Sequence, residues 1–215
     1  MSSHEYKTHG LMIDDLIVAD EKLTDLIKEI ADLYLKNDRA WVIGFSGGKD
    51  STVILSLIYQ ALTTLTKKQL KKKVYVVCSD TLVETPVVVG LVREVLNNVQ
   101  MSANEKGIPL VTQMVVPDTN NTFWSNLLGK GYPAPTSGFR WCTERMKIKP
   151  VTAFIQETVS KHGEVIVALG SRKEESSARS ASIKKHSIKG TVLARHSSLS
   201  NAFTYMPIEN WAADD

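Results

Sequence analysis

The sequence predicts an α/β fold with a mostly parallel sheet flanked by helices on both faces, on three observations. Four short apolar runs, Trp41–Phe45, Val74–Cys78, Leu110–Val116 and Val165–Leu169, read as strands buried on both sides. Stretches of helical period separate them, which is the alternation of a parallel sheet. The first run ends in the small-residue turn Ser46-Gly47-Gly48, directly before a helical pattern.

A chain of 215 residues with 43% hydrophobic and 23% charged residues is ordinary for one globular domain with its own core. The expected division is an N-terminal arm and helix over 1–39 and a main domain over 40–215. Residues 1–18 are an arm without a structural signal. From Asp20, which can cap it, a helix carries Leu23, Ile27, Ile30, Ala31 and Tyr34 on one stripe. Asn37-Asp38-Arg39 breaks it before the first strand. The next helix begins near Asp50 and buries Val53, Ile54, Leu57, Ile58 and Leu62. The run Lys67-Lys68-Gln69-Leu70-Lys71-Lys72-Lys73 reads as a solvated connection, with contact to a polyanion as the other reading. After the second strand, Thr85-Pro86 marks a helix start, Thr as N-cap and Pro in the first turn. A helix from about Thr143 to Ser160 leads to the fourth strand.

The net charge of +3 does not itself point to nucleic acid. Two cysteines, Cys78 and Cys142, cannot build a disulfide framework and suggest a reducing compartment. No apolar run is long enough for a membrane span, and Met1–Lys7 lacks a signal-peptide core, so the expected location is cytoplasmic.

In such sheets ligands bind beyond the C-terminal strand ends, and the polar motifs cluster there. Ser46-Gly47-Gly48-Lys49-Asp50-Ser51-Thr52 offers backbone N–H groups at a helix N-terminus, a ready anion site. It is not a Walker loop, because Ile43 stands where that motif needs Gly and Asp50 where it needs Ser or Thr. Gly47 and Gly48 allow close approach to phosphates, Lys49 supplies a charge, and Ser46, Ser51 and Thr52 can add hydroxyls. Asp50 is suited to Mg²⁺ or to bracing the loop, and the sequence leaves both open. Asp80, in Ser79-Asp80-Thr81 after the second strand, is expected near the nucleotide or Mg²⁺. Between 128 and 149, Lys130, Arg140, Arg145, Lys147 and Lys149 face one acid, Glu144. Such cations favour thiolate, so Cys142 is a candidate reactive thiol or metal–sulfur ligand, with a buried small residue beside Trp141 as the alternative. Cys78, inside an apolar strand, reads as inert core. Arg172 and Arg179 after the fourth strand suit bidentate phosphate contacts, and Arg140 is a further nucleotide contact. The Ser-rich remainder with Lys184, Lys185, His186, Lys189, Arg195 and His196 reads as a mobile loop that either meets a polyanion or is simply solvated.

The loop from Ser46 to Thr52 resembles the PP-loop of ATP pyrophosphatases, and with the other motifs the chain resembles their phosphoadenylyl-sulfate reductase-like branch from about residue 40 to Trp211. Ser79–Glu84, Phe123–Leu127, Gly131–Pro135, Arg140–Arg145 and Pro207–Trp211 are similar to the DNA phosphorothioation sulfurtransferases of the DndC type. This resemblance implies ATP cleavage between the α and β phosphates with Mg²⁺, and sulfur insertion into the DNA backbone. It implies a cysteine desulfurase as sulfur donor and other sulfur-modification subunits as partners. It makes Lys49, Asp50, Cys142 and Arg172 the catalytic candidates. Three departures stand out: no cysteine follows Cys142, there is no Cys-x-x-Cys, and two cysteines cannot complete the iron–sulfur cluster that longer relatives carry. A truncated or short form is therefore expected, with a cluster, ligated by Cys142, confined to a full-length form. The alternatives are a sulfonucleotide reductase and a catalytically silent nucleotide-binding subunit.

Overall fold

The computed structural model describes residues 21–212, so the predicted arm and the Asp20 cap lie outside the described residues. The α/β expectation holds. Six strands form one sheet in the order β3-β2-β1-β4-β6-β5. They are β1 (Ala40–Phe45), β2 (Val74–Ser79), β3 (Leu110–Val115), β4 (Val165–Ala168), β5 (Leu193–Arg195) and β6 (Ala202–Tyr205). All pairings are parallel except β5 against β6.

Alternation along β1 divides the core into two layers. Trp41, Ile43 and Phe45 face α1 (Glu21–Leu35), α2 (Lys49–Thr63) and α3 (Pro86–Lys106). Ala40 and Val42 face the opposite layer, where Ile155 and Phe154 of α5 (Lys149–His162) pack. The chain thus winds β1-α2-β2-α3-β3 along one half of the sheet, then crosses to the other side of β1 through α5 and β4. The order reverses between β1 and β4, and a crevice opens at such a reversal.

Several local features decide how the site is framed. The Thr85 hydroxyl accepts from the Val88 N–H, so the Thr-Pro start of α3 forms as the sequence predicts. The helix expected from Thr143 is instead a composite. A short α4 (Trp141–Thr143) runs into a π-helical turn, Glu144–Ile148, and then into α5. A second π-helical turn, Ser125–Gly129, lies earlier in the same connection. The lysine run is not wholly solvated. Lys72 Nζ lies 4.1 Å from the Tyr34 ring centroid and donates to the Asn37 carbonyl. Burial pulls its pKa down to about 8, with Asp38 opposing. The segment expected as a mobile loop is ordered as well. It forms α6 (Ser177–His186), a turn with Gly190 at φ 76°, and the edge pair β5–β6. Ser176 caps α6 by accepting from the Arg179 N–H, and Lys184, Lys185 and His186 lie in its last turn, where cations favour the helix dipole.

Candidate active site

A cleft of about 720 Å³ occupies the reversal between β1 and β4. The turn after β1 forms one wall. Gly47 has φ 76°, a conformation open to glycine. Gly48 caps α2 with no side-chain hydrogen bond of its own, and its N–H donates to Ser46 Oγ at 3.4 Å. Ser51 staples the turn: its Oγ accepts from the Ser46 N–H at 3.2 Å and donates to the Gly48 carbonyl at 2.8 Å. The Thr52 hydroxyl donates to the same carbonyl at 3.0 Å. These two hydroxyls therefore hold the loop instead of serving as the phosphate donors the sequence suggested. Gly48, Lys49 and Asp50 remain on the cleft side.

The opposite wall is the exit of β4. Gly170 approaches the loop so closely that a Cβ there would lie 2.8 Å from the Asp50 carbonyl carbon and oxygen. Arg172, 8% exposed, points its Nε at Asp50 Oδ2 at 3.3 Å, and its Nη1 at Glu174 at 3.7 Å. Asp50 is thus braced by Arg172 with one carboxylate oxygen, which leaves the other for a cation. Arg179 lines the cleft and pairs with Glu175.

The third side is the exit of β2. Asp80 lines the cleft, but both its oxygens are engaged: Oδ1 accepts from the Leu82 N–H at 2.9 Å, and Oδ2 lies 3.6 Å from Arg93. The first contact is a side-chain-closed turn that holds Leu82 at φ 63°. Asp80 therefore stands at the cleft rim with its carboxylate held by the Leu82 N–H and Arg93. Glu84, which the sequence reading passed over, accepts from the Thr81 N–H and hydroxyl and lies 3.8 Å from Lys147. Burial pushes its carboxyl up, yet the Thr81 hydrogen bonds and the Lys147 charge outweigh it and hold it below the ordinary glutamate value. Glu84 therefore stabilises the fold at neutral pH and loses that contribution as pH falls from the ordinary carboxylate range through its lowered value. Thr81→Val is expected to lower the urea midpoint at pH 7, with the difference from wild type shrinking towards pH 3.

Lys147 and Ile148 close the cleft from above, because Ser79 Oγ donates to the Met146 carbonyl at 2.7 Å and docks the π-helical turn on β2. Lys147 stood inside the basic segment in the sequence, but nothing there separated it from its neighbours. Arg145 ties the two π-helical turns together. It donates to Asn126, which is fully buried, and to the Tyr132 hydroxyl at 2.7 Å, with its guanidinium 4.6 Å from the Tyr132 ring centroid. Such turns recur at functional sites.

Arg140 and Cys142 do not line the cleft, nor do Gly47 and Thr52; Arg172 reaches it through Asp50. Cys142 is half-buried in α4, the first turn of the composite helix that continues through the π-helical turn into α5. Cys78 lines the cleft floor, but burial, reinforced by Asp80 and Glu84, pushes its thiol up to about 11. At pH 8, iodoacetamide is expected to label Cys142 well before Cys78, as peptide mapping would show. Among the described residues no three His, Cys, Asp or Glu side chains gather into a metal-binding group. The iron–sulfur ligation expected for Cys142 thus lacks partners among them.

The loop lies beyond a parallel strand at the sheet reversal, where ligands bind in doubly wound α/β folds. The model of the phosphoadenosine phosphosulfate reductase domain matches residues 40–215, and the chain belongs to that family. An uncharacterized protein of Methanocaldococcus jannaschii is 29% identical over 196 residues, which are 91% of this chain and 34% of the relative. The chain thus spans about a third of that relative's length. Among solved structures, the U34-tRNA thiolase NcsA of Methanococcus maripaludis, with its [4Fe-4S] cluster, aligns at TM-score 0.51 and 15% identity. The alignment covers 91% of this chain and 62% of the thiolase. The phosphoadenylyl-sulfate reductase of Candida auris, in a phosphate complex, aligns at TM-score 0.49 and 17% identity, over 89% and 80% of the two chains. No helix among the described residues is long and apolar enough to cross a membrane.

Proposed function

We propose that the protein is an ATP α–β pyrophosphatase that adenylates an acceptor for sulfur transfer, the acceptor being a backbone phosphate of DNA. The observation that carries this reading is the uncapped start of α2, with Lys49 and Asp50, set at the sheet reversal in a cleft of nucleotide size. The β and γ phosphates lie at the first turn of α2, towards the positive end of its dipole and the Lys49 side chain. Mg²⁺, where bound, is held by the free oxygen of Asp50 and by substrate phosphates, and neutralises their charge.

An oxygen of the acceptor phosphate attacks the α phosphorus. The bond from that phosphorus to the bridging oxygen breaks, pyrophosphate leaves with the electron pair, and the acceptor carries AMP. A sulfur nucleophile, originating from a cysteine desulfurase, then displaces AMP with the help of other sulfur-modification subunits. The protein contributes position and charge.

ATP labelled at the α phosphate is expected to yield labelled AMP and pyrophosphate; labelled ADP would overturn the assignment. Cys142 stands outside the cleft lining, so it serves sulfur delivery and not nucleotide contact. Cys142→Ser is expected to leave AMP formation unchanged and to abolish sulfur incorporation in the reconstituted system. The family model favours one second reading, a sulfonucleotide reductase. Sulfite release from phosphoadenylyl sulfate with thioredoxin as reductant would establish it.

A further inference from the structure

We infer that α6, the turn after it and β5 form a binding surface for a nucleic-acid phosphodiester backbone that leads into the cleft. This deepens the proposed function and rests on it for what the bound strand is used for, though not for the binding itself. From Ser171 to His196 there are seven Lys or Arg and two acids, an excess of five where the whole chain carries +3. The rest of the molecule is therefore net negative, and the positive charge is concentrated on this one segment.

The structure divides these cations into two groups. Arg172, Lys173 and Arg179 pair with Asp50, Glu174, Glu175 and Glu209. Lys184, Lys185, Lys189 and Arg195 are exposed, and among the described residues no carboxylate pairs with them. Order matters here. α6 buries Ile183 and turns Lys184 and Lys185 outward, and the turn at Gly190 presents Lys189 beside the edge strand. The cations thus sit on a fixed scaffold and need not be ordered on binding.

The surface is continuous with the site. Arg179 of α6 lines the cleft, and so do His196, Ser197 and Ser198, the residues that follow Arg195. The Ser197 hydroxyl adds a neutral phosphate donor along this path. Burial, reinforced by His186, lowers the His196 pKa, so the cation path ends at a neutral ring. A membrane is a poor fit, because Val192 is the one large apolar side chain exposed on this face among the described residues, and an interfacial helix needs an apolar stripe. Spaced cations with a neutral hydroxyl donor fit a phosphodiester chain.

The test uses the full chain and fluorescein-labelled 20-mers as single-stranded DNA, single-stranded RNA and duplex DNA, titrated by anisotropy from 50 to 200 mM salt. Binding is expected to weaken with salt. Lys184→Gln/Lys185→Gln/Lys189→Gln is expected to weaken it at least tenfold at 100 mM and to reduce the log–log salt slope by about two for single strands. The Glu triple variant is expected to abolish binding, while ATP affinity stays at the wild-type value and shows both variants folded. The ranking of the three oligonucleotides identifies the natural strand. Equal binding by wild type and both variants overturns the proposal, as does binding only to polyglutamate or to anionic vesicles. If oligonucleotides bind through these lysines but ATP yields no AMP, the proposed function fails and the surface stands.

Discussion

Arg172→Ala is expected to lower kcat/KM for AMP release by about 10² to 10³, the range for removing one charge-stabilising contact from a reacting centre. Arg172 is buried at the exit of β4 and faces Asp50 in the first turn of α2. Its loss acts twice. The cleft loses a positive charge that stands behind the Asp50 carboxylate, outside the cleft lining. The Asp50 carboxylate, deprived of its cation, then faces an incoming polyanion. Arg172→Lys is expected to recover only part of the rate, since an ammonium lacks the planar fork that meets Asp50 and Glu174 together. Calorimetry with ATP separates the two effects. If neutralising Asp50 is the larger one, Asp50→Asn combined with Arg172→Ala restores ATP affinity without restoring turnover. Wild-type kcat/KM in Arg172→Ala would remove Arg172 from the catalytic group.

Much of this site was legible in the sequence because it depends on short-range patterns. A buried strand, a turn of small residues and a helix start are adjacent in the chain, so Ser46–Asp50 could be read without the fold. The same holds for the Thr85-Pro86 helix start. What escaped depends on long-range contacts or on weak local signals. Glu84 and Lys147 meet only because Ser79 docks the π-helical turn on β2. The Asp50–Arg172 pair joins residues 122 positions apart, and no spacing rule announces it. α6 was missed because Ile183 is the single large apolar residue of a Ser- and Lys-rich stretch that is nearly featureless in hydrophobic period. β5 and β6 span three and four residues, too short to show alternation. The basic neighbours of Cys142 are already partnered, Arg145 with Asn126 and Tyr132, Lys147 with Glu84 and Lys149 with Glu144. A count of charges along the chain does not show these contacts.

Gly170→Ala is the second large effect and tests whether the β4 exit sets the geometry of the phosphate loop. A Cβ at Gly170 would meet the Asp50 carbonyl carbon and oxygen at 2.8 Å and the Asp50 Cβ at 3.1 Å. The obstacle is backbone at the first turn of α2, which Ser51 and Thr52 already fix through the Gly48 carbonyl. Neither side can yield by a rotamer change, so the loop and the strand exit must separate. The stability cost is expected at about 1–3 kcal/mol, as for other overpacked sites. The functional cost is larger, because a displacement near 1 Å at a phosphate site can reduce rate about 10²-fold. Gly44→Ala is the matched control, on β1 beneath the same loop. Its Cβ would crowd the Leu169 Cδ2 methyl at 2.9 Å, the movable end of a flexible side chain, and meet the Ala168 carbonyl oxygen at an ordinary 3.7 Å. It is expected to keep ATP affinity within a factor of about three, well below the tenfold that corresponds to 1.4 kcal/mol. Urea unfolding and ATP titration of the two variants side by side decide the point. Equal losses in both would show that crowding in the sheet, not the contact between Gly170 and Asp50, governs the site.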